Sequence, residues 1–152
     1  MDISFYQVME GVPAAVDRTV PQLLEKALGA GYKVVVRCPS EDRMKRLSDT
    51  LWNYENTAFL AHGMKGEPLP EKQQIYLTTE SENPTGAEVM MVVSGADVDD
   101  EDTAKYKRLL DIFEASDTQK KEARKRWKNY SEEAHNTLAY YAHEEGKWQK
   151  KA

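Results

Sequence analysis

The chain is 152 residues long, 40% hydrophobic and 31% charged, with a formal net charge of -5 at pH 7. That size suits one domain with a proper core, and the apolar fraction excludes a disordered chain. The acidic balance, with a pI near 5.3, argues against a protein that binds nucleic acid over its whole surface and favours a protein partner. The single cysteine, Cys38, excludes an internal disulfide and a cysteine-built zinc site, and it fits a reducing cytoplasm. No apolar run approaches the roughly 20 residues of a membrane span, and Met1 to Ser4 lack the basic start of a signal peptide, so no membrane contact is expected.

Ile3 to Val8 reads as a first strand, closed by a loop over Glu10, Gly11, Val12 and Pro13. Val16, Val20, Leu23, Leu24, Ala27 and Leu28 then repeat at helical spacing up to the stop signal Gly29, Ala30, Gly31. Pro21 must sit in the first turn of this helix or kink it. Lys33 to Cys38 reads as a strand buried on both faces, the kind parallel sheets use. Ser40, Glu41 and Asp42 look like an N-cap and an acidic first turn, which complement the helix dipole. Met44, Leu47 and Leu51 form the inner stripe of that second helix, and Trp52 ends it.

A short Phe59, Leu60 segment comes next, and Gly63 to Pro70 is expected to be a loop. Gln74 to Thr78 and Glu88 to Val93 read as strands. From Asp97 to Asp102 five of six residues are acidic, which suggests a solvated loop or the start of a short helix. Arg108 to Phe113 is too short for its period to decide between helix and strand. Ser116 or Asp117 caps a long basic helix. The tail from Ser131 to Ala152 is polar, but Leu138, Tyr140, Tyr141 and Trp148 imply that part of it packs. The alternation predicts an α/β sandwich with a mainly parallel sheet, one domain over 1–152, with the tail after about residue 143 loosely packed.

Such folds place ligands at the carboxyl ends of their strands. The first strand-to-helix turn offers only Gly11 before Pro13, with no Gly-x-Gly-x-x-Gly and no phosphate loop, so no dinucleotide cofactor is expected. His62, His135 and His143 have no metal-ligand spacing with one another or with Cys38 and read as surface or loop histidines. Cys38 itself reads as a small core residue. No catalytic residue and no metal ligand is assigned.

Two constellations remain. In Lys120 to Tyr130 six of the first nine residues are basic, a local reversal of sign in an acidic chain. Spacing of four aligns Lys120, Arg124 and Lys128 on one face, with Trp127 beside them. The plain alternative is a solvated helix face with Glu122 and Arg126 as an i,i+4 pair. A cationic stripe beside an indole suits an acidic ligand with an aromatic end, or a single nucleic-acid strand with Trp127 and Tyr130 stacking on bases. The second constellation is Trp52 with Phe59, which serves either core packing or an interface.

In order and spacing these segments resemble the chi subunit of the bacterial DNA polymerase III holoenzyme. The resemblance rests on the Phe5, Tyr6 strand, the Lys33 to Cys38 strand with its helix ending Leu51, Trp52, the Phe59-x-x-His62 segment, and Ala123, Arg124, Arg126, Trp127, Lys128 and Tyr130. It implies a Rossmann-like, cytoplasmic, non-enzymatic accessory of the clamp loader that needs no cofactor. It also implies two partners: the psi subunit, where one exists, and the acidic C-terminal tail of single-stranded DNA-binding protein, which ends in an aromatic residue and a free carboxylate. On that pattern Arg124 and Lys128 hold the tail's carboxylates, Lys120 steers from one turn earlier, and Trp127 supplies an aromatic wall where the family often has tyrosine. Trp52 and Phe59 fall on the psi-facing surface, for which a helicase is the alternative occupant, and Ala61 replaces the family's proline before the histidine. Nucleic acid is then met mainly through partners. The resemblance also makes Arg108 to Phe113 a strand.

Overall fold

The computed structural model describes residues 1–54, 62–68 and 73–152. In chain order the elements are β1 (Asp2–Gln7), α1 (Pro13–Gly29), β2 (Val34–Arg37), α2 (Glu41–Trp52), β3 (Gly63–Met64), β4 (Ile75–Thr78), β5 (Val89–Val93), α3 (Asp100–Thr103), β6 (Arg108–Phe113), α4 (Asp117–Ser131), β7 (Thr137–Glu144) and β8 (Lys147–Lys150). The strands form one sheet in the order β3-β4-β2-β5-β6-β1-β7-β8. Every pairing is parallel except β7 with β8, which is antiparallel. This is the mainly parallel α/β sandwich that the alternation of apolar runs predicts, Rossmann-like as the resemblance implies, and Arg108–Phe113 is a strand.

Side-chain alternation along each strand builds a core on each face. Val34 and Val36 of β2 and Val89, Met91 and Val93 of β5 meet Val16, Val20 and Leu24 of α1 and Met44, Leu47 and Leu51 of α2. On the opposite face Ile3 and Phe5 of β1, Met90 and Val92 of β5, and Leu109 and Phe113 of β6 meet Tyr106 and Ala123. Helices α1 and α2 therefore cover one face, and α4 covers the other. That division decides which charges of α4 are left to solvent.

Several local expectations change. Helix α1 begins at Pro13, where the missing N–H is harmless, and Pro21 lies in its interior rather than its first turn. Gly63 and Met64 leave the expected loop and pair with Tyr76 and Leu77 of β4; two residues carry no periodicity by which a strand could be foreseen. The acidic run does start a helix, α3, through a capping box between Asp99 and Asp102. It is not simply solvated, however. Asp102 is buried and pairs with Arg37 at 3.3 Å, and Arg37 also donates to the Asp97 carbonyl oxygen at 2.8 Å. His62 is buried, 5% exposed, with Nε2 2.8 Å from Ser48 Oγ, rather than lying on the surface.

The tail supplies the two strands at one end of the sheet. Leu138 and Tyr140 pack against the α4-side core, and Trp148 packs against the opposite one. No helix among the described residues is long and apolar enough to cross a membrane.

Candidate functional site

The carboxyl ends of the central strands, where an α/β sheet offers its usual ligand crevice, are filled by side chains. Arg43 Nη2 donates to Asp17 Oδ1 at 3.1 Å and to Ser94 Oγ at 3.0 Å, and Ser94 Oγ reaches Glu114 Oε2 at 3.4 Å. All four residues are buried. Cys38 lies close by at the end of β2, and burial pushes its thiol up to about 12, above the ordinary thiol value. Among the described residues no group of three or more His, Cys, Asp or Glu is placed to hold a metal ion.

Helix α4 starts on this network. Ser116 is its N-cap, and its side chain accepts from the Gln119 amide at 3.2 Å. Gln119 Nε2 donates to the Ser94 carbonyl oxygen at 3.2 Å. The chain turns beneath Gln119 at Gly95, with φ +69, where a Cβ would lie 3.1 Å from Gln119 Oε1. Both the positive φ and the close approach favour glycine.

The inward face of α4 is Gln119, Ala123, Arg126, Trp127 and Tyr130, but only Ala123 is fully buried. Arg126 points inward, not toward Glu122. Its Nε and Nη2 donate to Asp111 Oδ2 and Oδ1 at 2.7 and 2.9 Å, and its guanidinium lies 6.0 and 5.9 Å from the Phe5 and Phe113 ring centres. Asp111 is completely buried on β6, so burial pushes its carboxyl pKa up while the Arg126 charge and hydrogen bonds pull it down. Glu122 pairs instead with Lys125 at 3.4 Å. The bidentate geometry, and the need to balance a buried carboxylate, account for the choice.

With Arg126 turned inward, Lys120, Arg124 and Lys128 form the outer stripe. Arg124 and Lys128 are exposed, Lys120 and Trp127 half-buried. Lys120 has a loose contact to Asp117 at 3.9 Å; Arg124 and Lys128 make no ion pair among the described residues. Trp127 stands edge-on to Phe5 at 5.4 Å and to Tyr140 at 5.9 Å. Burial pushes the Tyr140 hydroxyl above its ordinary pKa, and the nearby positive charge of Arg124 opposes that shift. The structure thus brings Lys120, Arg124, Trp127 and Lys128 onto one flank of α4 and adds Tyr140 from β7. Tyr140 was visible in the sequence only as a residue of the tail that packs; its place beside Arg124 depends on β1 pairing with β7.

Trp52, at the end of α2, lies on the other side of the sheet. It is 52% exposed, and its ring is centred 4.3 Å from that of His62. Phe59, expected to join it, lies outside the described residues.

Residues 1–137 match the family model described as DNA polymerase III chi subunit, HolC. A protein of Rickettsia prowazekii (strain Madrid E), named probable DNA polymerase III subunit chi, is similar to this chain, 33% identical over 81 residues. That alignment covers 53% of this chain and 49% of the Rickettsia protein, so the similarity spans about half of each. The family match takes in all of α4 and ends at the first residue of β7.

Proposed function

Because the chain belongs to the chi-subunit family of DNA polymerase III, we propose that it is a non-catalytic accessory subunit of the replicative polymerase, acting in the cytoplasm as a tether. One end of the tether is the outer flank of α4, which receives the acidic C-terminal tail of single-stranded DNA-binding protein. The other is the Trp52 surface, which docks the psi subunit, or a helicase in its place, and so links the tail to the clamp loader. The observation that carries this reading is the division of cations on α4. Arg126 is held by Asp111, while Lys120, Arg124 and Lys128 line the outer side next to the half-buried indole of Trp127.

Recognition follows from ordinary chemistry. Arg124 donates to the terminal carboxylate, Lys128 and Lys120 attract neighbouring acidic side chains, and Trp127 and Tyr140 wall the tail's aromatic end. A charge-assisted hydrogen bond contributes about 1.5–3 kcal/mol, and exposed rim pairs contribute typically below about 1. One such anchor with an apolar wall gives roughly micromolar affinity, about -8 kcal/mol. Several tails on one oligomer raise it by avidity while each contact still releases quickly. The alternative ligand for this helix, a single nucleic-acid strand, presents a base and a charge at every step. Trp127 and Tyr130 both pack edge-on against the same ring, Phe5, so this flank offers one aromatic wall rather than a succession of ring-and-cation steps, which favours a peptide terminus.

The test is an anisotropy titration with a fluorescent acidic peptide ending in phenylalanine. Arg124→Ala is expected to lose at least about tenfold in affinity, as the removal of one charge-assisted bond predicts, with the thermal melt unchanged. Undiminished binding by Arg124→Ala would place the peptide elsewhere.

A further inference from the structure

The face opposite α4 carries a second cationic and aromatic surface that the tether does not use. Between α1 and the β6-β1-β7-β8 side of the sheet lie two cavities of about 240 and about 250 Å³. They share Tyr6, Leu23, Lys26 and Tyr141 as walls, so they adjoin, and together they are called the trough. Tyr6 and Tyr141 are cross-strand neighbours with rings stacked 5.2 Å apart at 13°. Trp148 of β8 stands edge-on to Tyr6 at 5.2 Å and walls one end. Tyr32 walls the other, with the Arg108 guanidinium 5.4 Å from its ring centre. Each of these four rings is only partly covered.

Cations accompany the rings along the trough. Arg108 lies with Tyr32, Lys26 lines both cavities, and Lys150 is the register partner of Tyr141, which puts it on the same face. The one acidic group paired to them, Asp2, reaches Arg108 only at 3.8 Å, with both side chains about half exposed. The surface is therefore locally basic in a chain of net charge -5.

We propose that this trough binds single-stranded nucleic acid, with bases against Tyr32, Tyr6, Tyr141 and Trp148 and phosphates on Arg108, Lys26 and Lys150. The repeat is what selects the ligand. A peptide terminus needs one anion anchor and one apolar socket, whereas a nucleic-acid strand presents a ring and a charge at every step, and the trough offers a ring and a cation in succession. Tyr6, Lys26, Tyr32 and Arg108 lie within the residues matched by the family model and Tyr141, Trp148 and Lys150 beyond them; the proposal does not rest on the α4 tether.

The full-length chain is titrated with a labelled oligothymidylate. Neutralising three phosphates predicts that affinity falls about 125-fold for a tenfold rise in salt. The double variant Lys26→Gln with Arg108→Gln is expected to bind about tenfold or more weakly with a flatter salt dependence, while Arg124→Ala stays within about twofold. Trp148→Phe retains binding and Trp148→Ala weakens it; if the alanine variant melts early, the charge variants decide. The proposal is overturned if the oligonucleotide does not bind at low salt, or if Arg124→Ala weakens it as much as the double variant does. It also falls if an acidic peptide displaces the oligonucleotide and itself fails to bind the double variant, because the trough would then be a peptide site.

Discussion

Arg126→Met separates the two kinds of cation on α4. The substitution keeps an unbranched apolar side chain beside Phe5 and Phe113, whose ring centres lie 6.0 and 5.9 Å from the native guanidinium, but removes both hydrogen bonds to Asp111, whose side chain is 1% exposed. Breaking a buried pair by deleting one partner costs about 3–5 kcal/mol, because the remaining charge is left unbalanced. Against a typical domain stability of about 5–15 kcal/mol that is a large fraction, and urea unfolding followed by circular dichroism measures it. The pH dependence is diagnostic. Burial already raises the Asp111 carboxyl in the folded state, and without Arg126 it rises further above its unfolded value. A raised carboxyl stabilises the fold most below the unfolded pKa and loses that contribution as pH rises through the folded one. The deficit of Arg126→Met is therefore largest at neutral pH and shrinks on acidification. Replacing both partners, Arg126→Met with Asp111→Leu, recovers most of the loss. The folded variant should still bind the acidic peptide. A variant with unchanged stability and abolished peptide binding would refute the inward assignment of Arg126.

Two further outcomes follow from the same geometry. Ser116→Ala removes the side-chain cap of α4 and is expected to lower stability by about 1 kcal/mol in urea unfolding, with glycine costing less. Cys38, Tyr106 and Tyr130 all titrate near 12 in the fold, against ordinary values of 9.0 for the thiol and 10.0 for the tyrosines, each raised first by burial. The folded state then holds more protons than the unfolded chain between those values, so stability falls as pH climbs from about 9 to about 12; a flat melting temperature across that range would contradict the burial of these groups.

The sheet was legible wherever a run was long and apolar. Val34 to Val36 and Val89 to Val93 announce buried parallel strands because both their faces need cover, and Ser40 with Glu41 and Asp42 marks the start of α2 through local chemistry alone. Gly63 and Met64 were not legible, since a two-residue strand has no pattern of its own. At the site, spacing of four places Lys120, Arg124 and Lys128 along one flank, because α4 is a regular helix. Spacing failed for Arg126: an i,i+4 rule offers Glu122, whereas the fold brings a buried aspartate from β6 that no local pattern announces. The trough was invisible for the same reason. Tyr6, Tyr32 and Tyr141 are far apart in sequence and meet only through strand order, and Trp148 joins them through the β7–β8 hairpin.

The central claim is that α4 receives a free peptide carboxylate, and amidating that terminus tests it most directly. Two peptides identical except for a C-terminal amide are titrated against the intact chain. The free acid is expected to bind about tenfold or more tightly, the difference one charge-assisted bond supplies, and the difference should vanish in Arg124→Ala. Equal binding of the two peptides by the wild-type chain would contradict the account.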